Sequence, residues 1–394
     1  FSSKAFQKSA DQDFDFEVDK NFYYLAGINQ ANVILAIVKD NDNFRSALFI
    51  EKNDPALVKW VGYKLEINEA KELSGIDEVY YLDNFENFVY SCFNSSRKFT
   101  GTLRSLYLNL ERRNEVGYTN LALEYAEKFK ETYPEVRIRN SYLKVVELRM
   151  FKTEEELAII KKAINTTKGG LELIMKNLKP GMYENQMEAY FNFHLQYTAN
   201  SDTAFETIAA SGKNATILHY VANNQKINDN ELMLFDLGAR DGFYVSDISR
   251  TYPTSGKFTK RQREVYEEVL NVNKLCIEFL KPGVTWVEYN KYASDLLAKA
   301  CIRLGLIKEP KELIKYYYHS IGHSIGLDTH DPANGLIPIS EGMILTVEPG
   351  IYIEEENIGV RIEDNILITK DGRINLSEDI IKEVDDIEKF MAAK

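Results

Sequence analysis

The sequence predicts an α/β (α+β) chain in two domains, a smaller α/β domain over residues 1–148 and a larger α+β domain over 149–394 with a pseudo-two-fold repeat. Three observations carry this. The chain has 394 residues, beyond the roughly 250–300 at which one hydrophobic core stops growing. The texture changes near Lys144–Lys152, where short alternating apolar runs give way to a long helical pattern. A weak internal repeat follows, with NLKPGMYENQMEAYFNFHL starting at Asn177 and FLKPGVTWVEYNKYASDLL at Phe279.

In chain order, NVILAIV, EVYYL and SLYLNL read as strands, and NLALEYAEKFKETY reads as a helix between them and the boundary. Thr153-Glu-Glu-Glu156 has the form of a capping box and opens the helix TEEELAIIKKAINTTKGGLELIMKNL. Each repeat copy follows a long helix, breaks at Lys-Pro-Gly and begins a second helix. Strand-like segments then carry acids inside apolar runs: LMLFDLG and FYVSDISRTY in the first half, MILTVEPGIYI and IGVRIEDNILIT in the second. Each half therefore supplies two carboxylates.

The formal net charge is -12, the pI is near 5.2 and no basic run occurs, which disfavours a nucleic-acid or anionic-membrane partner. No window approaches the roughly 18 apolar residues of a membrane span. Three cysteines without CxxC spacing, Cys92, Cys276 and Cys301, indicate free thiols in a reducing, cytoplasmic setting. The first residue is not Met, so a removed leader stays open.

The stretch LMLFDLGARDGFYVSDISRTY places two acids, Asp236 and Asp247, where a core is expected. Asp241-Gly242 is a strong signal for a two-residue type I′ hairpin. A turn on those two residues pairs Arg240 with Phe243 and sets Asp236 directly opposite Asp247, with Cβ atoms about 4.5–5.5 Å apart. Two facing carboxylates need a shared proton or a cation between them.

Three of the five histidines, His319, His323 and His330, fall in YHSIGHSIGLDTHDP. Gly322 and Gly326 there allow close backbone approach and free His323 to point inward. Glu348 and Glu363 are again embedded in apolar runs, whereas Glu354-Glu355-Glu356 reads as a solvated loop. Four carboxylates and an imidazole suit divalent ions such as Mn²⁺, Co²⁺ or Zn²⁺. His194 is read as structural, and Trp60 and Trp286 as core packing.

DLGARDGFYVSDISRTYP, HSIGHSIGLDTHD, TVEPGIY and RIEDN resemble, in order, the signature segments of the pita-bread metallopeptidases. Bacterial Xaa-Pro aminopeptidases (aminopeptidase P) are the nearest match and prolidases the next. DFDFEVDKNFYYLAGI is similar to the start of the smaller N-terminal domain of aminopeptidase P. The resemblance implies a C-terminal pita-bread fold and an exopeptidase acting on peptides with proline at the second position. It also implies a dinuclear site, with Mn²⁺ as the first choice, liganded by Asp236, Asp247, His323, Glu348 and Glu363; Asp247 and Glu363 correspond to the bridging ligands, and a water or hydroxide bridges the metals. Glu348 is the candidate general base, His219 a substrate-contacting histidine that assists proton transfer, and His330 a further catalytic group. His319, His330, Tyr352 and Arg361 match positions that bind the proline or stabilise the intermediate; Arg361 alternatively holds Glu363 in place. A homo-oligomer, dimer or tetramer, is expected by the same resemblance.

Three rivals are weighed. Gly322-His-Ser-Ile-Gly326 fits the G-x-S-x-G nucleophile elbow, but LDTHDP after it is not helical and no histidine follows His330. A non-catalytic binding protein of the same fold would be expected to have lost ligands, and all five are present. Prolidase shares the ligands and remains the enzymatic alternative.

Overall fold

Residues 1–10, 12–40, 42–93, 103–115, 118–199 and 201–393 are described by the structure, a computed structural model. It divides into two compact units, Phe1–Leu148 and Arg149–Lys394. In the first, the apolar run of the strand Ile34–Asp40 pairs antiparallel with Asn43–Ile50, and the latter pairs parallel with Glu78–Tyr81. A second parallel pair joins Ser105–Leu108 to Arg137–Asn140. Helices Phe85–Phe93 and Leu121–Thr132 supply Phe85, Val89 and Phe129, which close over Phe49 in an aromatic core. Trp60 corrects the packing expectation: it is 83% exposed, on the one-turn helix Val58–Val61, none of whose residues is buried.

The second unit opens as its capping box dictates. Thr153 Oγ1 accepts from Glu156 N–H, and the Glu156 carboxylate accepts from Thr153 N–H, starting the helix Glu154–Asn177. The repeat then appears down to individual hydrogen bonds. After Lys-Pro, Gly181 and Gly283 take φ +91° and +94°, a conformation only glycine adopts without strain. Gly181 N–H donates to Ile227 O and Gly283 N–H to Ile339 O, both at 2.8 Å. Ile227 and Ile339 donate back to Met182 O and Val284 O, again at 2.8 Å. The paired helices are Glu154–Asn177 with Glu184–His194, and Lys260–Phe279 with Trp286–Arg303. Trp286 packs partly buried against the main core, and the His194 ring lies where a Cβ on Gly169 would sit, 2.5 Å from Nε2.

In the first half Leu232–Leu237 lies between Ile208–Ser211 and Ile248–Pro253. Here the expected hairpin is corrected. Asp241 pairs with Tyr244 and Arg240 with Val245, so the turn is Gly242-Phe243. Only Gly242 has positive φ, +57°, which matches a turn with glycine at its first central position, the type II′ arrangement. Asp236 consequently pairs with Ser249, not Asp247. The shift is two residues, so both acids keep the same face. Asp247 falls at a break in the strand opposite Gly238, where a Cβ would lie 1.9 Å from Ser246 O.

In the second half Ile344–Val347 pairs with Asp364–Thr369 and Gly350–Ile353 with Ile358–Arg361. The register on either side, Val347 with Asp364 and Gly350 with Arg361, sets Glu348 across from Glu363. The two halves join where Glu363 N–H donates to Ser249 O at 3.0 Å and Thr251 Oγ1 donates to Arg361 O at 3.2 Å. Asn365 completes the seam: its Oδ1 accepts from Asp247 N–H and its Nδ2 donates to Asp247 O. Cys92, Cys276 and Cys301 are free and buried. Among the described residues no helix is long and apolar enough to cross a membrane.

Candidate metal centre

The seam brings together side chains far apart in sequence. Ligand atoms of Asp236, Asp247 and Glu363 lie within 4.8 Å of one another, as do those of His323, Glu348 and Glu363, and those of Asp247, His323 and His330. The five predicted ligands thus form overlapping sets linked through Asp247, His323 and Glu363. His323 Nε2 stands 3.4 Å from Asp247 Oδ2 and 3.5 Å from Glu348 Oε1. Its Nδ1 is 3.0 Å from Ser324 O; a carbonyl only accepts, so Nδ1 carries the proton and Nε2 presents its lone pair to the acids.

Local sequence explains that orientation. A Cβ on Gly322 would lie 2.1 Å from Thr346 O, so glycine alone lets this segment run against the Ile344–Val347 strand. Thr346 Oγ1 accepts from His323 N–H at 2.9 Å and donates to Glu348 Oε1 at 3.4 Å. Ser324, the serine of the G-x-S-x-G match, is buried in an isolated bridge to Leu345 with no helix after it, as the elbow would require.

A second chain of contacts starts at Asp236. Arg361 Nη2 donates to Asp236 Oδ2 at 2.6 Å, Nη1 donates to Tyr352 Oη at 3.0 Å, and Nε donates to Ser249 Oγ at 2.8 Å. Ser249 Oγ donates onward to Glu363 Oε2 at 2.8 Å. Among the described residues Arg361 is hydrogen-bonded to Glu363 through this serine, and its direct carboxylate partner is Asp236. Tyr352 Oη lies 2.9 Å from His319 Nε2, and His319 Nδ1 donates to Ser320 O at 2.8 Å, so the tyrosine hydroxyl donates to Nε2. Burial and the Arg361 charge push His319 down to about 4, keeping it neutral at pH 7.

His330 is exposed, its ring 4.1 Å from that of His323. Partial burial, His323 and His219 hold its pKa below the usual range. His219 is also exposed, in the turn after the short helix Gly212–Thr216, and its field reaches both His319 and His330.

The electrostatics call for positive charge. Burial raises Asp247 and Glu363 well above ordinary carboxylates, and the neighbouring acids raise them further. Glu348 is pushed up to about 7, chiefly by burial, although His323 and Arg361 oppose this. Asp236 Oδ1 is buried without a hydrogen-bond partner among the described residues. Unpaired buried carboxylate oxygen is costly unless a cation meets it. Oxygen-rich donors with one imidazole nitrogen fit divalent ions of the hard-to-borderline class.

Ser249, Thr346 and Asn365 escaped sequence reasoning. Their only signal is a polar residue at an inward position of an apolar strand: Ser249, Thr346 and Asn365 are all fully buried.

Known proteins resemble the chain over its full length. The model of metallopeptidase family M24 matches residues 158–370, and that of the aminopeptidase P N-terminal domain matches residues 1–100. The chain is similar to the Xaa-Pro aminopeptidase of Haemophilus influenzae, 31% identical over 99% of this chain and 92% of the relative. A solved structure from Bacillus anthracis superposes with TM-score 0.96 at 46% identity, covering 100% of this chain and 93% of the other. Aminopeptidase P from E. coli, in its low-pH form, superposes with TM-score 0.89 at 29% identity, over 100% and 93% of the two chains.

Proposed function

The chain belongs to metallopeptidase family M24, and from that premise we propose that it is a metal-dependent Xaa-Pro aminopeptidase, releasing an N-terminal residue that precedes proline. The fold is the pita-bread fold behind a smaller N-terminal domain, and we assign residues 1–148 to the latter and 149–394 to the former. The observation that carries the proposal is the convergence of Asp236, Asp247, His323, Glu348 and Glu363 in overlapping ligand sets. Full-length similarity to Xaa-Pro aminopeptidases supports the substrate class.

In the proposed mechanism these five residues hold two divalent ions. When bound, such ions lower the pKa of water, polarise a carbonyl and stabilise an oxyanion. The protein's own part is positioning and proton transfer. Glu348, whose Oε1 accepts from Thr346 Oγ1 and stands 3.5 Å from His323 Nε2, accepts the proton of the attacking water. Asp236, held by Arg361, faces the substrate's free α-amino group, which accounts for exopeptidase selectivity. The scissile amide before proline has no N–H, so recognition rests on carbonyl and ring contacts, to which we assign His219, His319, His330, Tyr352 and Arg361. Tyr352 is held by Arg361 and neutral His319, and the Arg361 guanidinium behind it supplies the positive field for developing negative charge.

Mn²⁺ is the proposed metal, with Co²⁺ or Zn²⁺ as alternatives, and the three buried thiols support a reducing cytoplasmic setting. A homo-oligomer, dimer or tetramer, belongs to the same proposal and is read by sedimentation. Chelation should abolish hydrolysis and Mn²⁺ or Co²⁺ restore it. Glu348→Gln should lower kcat by about 10²–10⁴-fold; wild-type turnover by that variant refutes its role. Comparing an Xaa-Pro dipeptide with an Xaa-Pro-Xaa peptide in Mn²⁺ buffer separates prolidase from aminopeptidase, and cleavage of the dipeptide alone overturns the proposal.

A further inference from the structure

The reaction scheme leaves one buried carboxylate unused. Glu184 is fully buried at the first turn of the helix Glu184–His194, yet among the described residues none of its hydrogen bonds comes from a cation. Its Oε1 accepts from Ser211 N–H and Ser211 Oγ, both at 2.8 Å, and from Asn214 Nδ2 at 3.0 Å. Its Oε2 accepts from Tyr220 Oη at 2.8 Å and Gln225 N–H at 2.9 Å. Glu184 N–H also donates to Gln225 O at 3.0 Å. One oxygen thus holds the start of the 211–225 segment and the other holds its end.

His219 lies between those two anchors. Asn223 adds a further tie: it sits at φ +42°, accepts from Ala209 N–H at 3.1 Å and donates to Thr207 O at 2.7 Å. From the other half of the domain, Tyr318 Oη donates to Thr216 O at 2.7 Å, and Gly359 leaves no room for a Cβ beside Ala215 O, which would be 2.0 Å away. The clasp is not a demand of the repeated architecture. The residue three positions after Gly181 is Glu184, and the residue three positions after Gly283 is Trp286.

We propose that Glu184 is a positioning residue for the peptidase reaction: its carboxylate closes the 211–225 segment and so sets where His219 stands. The inference rests on the peptidase reading above. A carboxylate suits the task because it offers only acceptors, and all five groups aimed at it donate. Glutamine keeps the shape but turns one acceptor into a donor facing Gln225 N–H.

The test compares Glu184→Gln, Tyr220→Phe, His219→Ala and the Glu184→Gln/His219→Ala double variant, using an Ala-Pro-Ala peptide with the Mn²⁺-loaded full chain. Amide hydrogen exchange of the metal-free proteins supplies a readout independent of turnover. Glu184→Gln should lower kcat/KM by roughly ten- to a hundredfold through misplacement, speed exchange across 211–225, and add less than about twofold in the His219→Ala background, as expected for coupled residues. Tyr220→Phe, which removes one bond and keeps the ring, should move the same readouts in the same direction and covers the case of a Glu184 variant that fails to fold. Wild-type kinetics and exchange in both Glu184→Gln and Tyr220→Phe, or losses that multiply in the double variant, overturn the proposal. A wild-type chain that cleaves no Xaa-Pro peptide instead overturns the peptidase reading, and the exchange data then decide the clasp alone.

Discussion

Asp364→Asn tests how the seam is held. Asp364 and Arg250 are both fully buried and 2.8 Å apart. The Asp364 carboxylate also accepts from Lys382 Nζ and from Ser377 Oγ. Arg250 in turn donates to the backbone carbonyls of Ser249, Glu363 and Ile380, so it spans both halves directly behind Glu363, a proposed ligand. Burial alone would raise the pKa of Asp364, but Arg250 and Lys382 hold it well below the usual carboxylate range. Removing the acid's charge leaves two cations without their carboxylate. Breaking a buried pair in this way costs about 3–5 kcal/mol. In a unit of this size each kcal/mol moves Tm by roughly 2–4 °C, so a fall of about 6–20 °C is expected. Urea and thermal unfolding followed by circular dichroism, with chelator in both samples so that metal binding does not contribute, give the comparison. The pH dependence has a definite sign. A depressed native pKa contributes stability that is complete above the unfolded value of about 3.9 and is lost as pH falls through the native one. The gap between wild type and variant should therefore be constant above about pH 5 and narrow only in stronger acid. A loss below about 1 kcal/mol at pH 7, smaller than the cost of leaving one buried polar group unpaired, would refute the claim that these charges depend on one another.

Two further outcomes follow from the site. Ser249→Ala removes the hydroxyl that joins Arg361 to Glu363 and should weaken metal binding by about 10–100-fold; unchanged affinity by titration calorimetry would show that Glu363 needs no such support. Gly322→Ala forces a Cβ against Thr346 O and should cost about 1–3 kcal/mol in urea unfolding, with activity falling in parallel. Gly335→Ala, which meets nothing within 4 Å, is the control and should stay within about 0.5 kcal/mol.

What the sequence reveals and hides has a physical pattern. Glu348 and Glu363 are legible because an acid inside an apolar strand has no inexpensive explanation, and the Lys-Pro-Gly repeat is legible because Gly181 and Gly283 must adopt positive φ. The Asp236–Asp247 pairing was misplaced by two residues because both Asp-Gly and Gly-Phe satisfy a two-residue turn. The deciding contact, Gly238 against Ser246 O, becomes visible only once the strands are side by side. The even shift kept the face correct and altered only the neighbours. Trp60 misled for a different reason: bulk argues for burial, yet its short helix has no buried residue with which to pack it. Ser249, Asn365 and Glu184 were missed because their roles lie in partners far along the chain, Glu184 being 41 residues from Gln225 and Ser249 114 from Glu363. Nothing in a lone serine or glutamate announces such a partner.

The seam between the halves also carries a kinetic meaning. Its hydrogen bonds close loops of more than 100 residues, Ser249 to Glu363 and Asp247 to Asn365 among them. Each hairpin can form from local contacts, but the seam forms only after a long loop has closed, and that ordering penalty slows folding. It is also where a partial opening separates the acids while both hairpins stay intact. On gradual heating, enzymatic inactivation should therefore run ahead of the loss of helix and strand signal, making catalysis the most sensitive thermometer of the contact between the two halves.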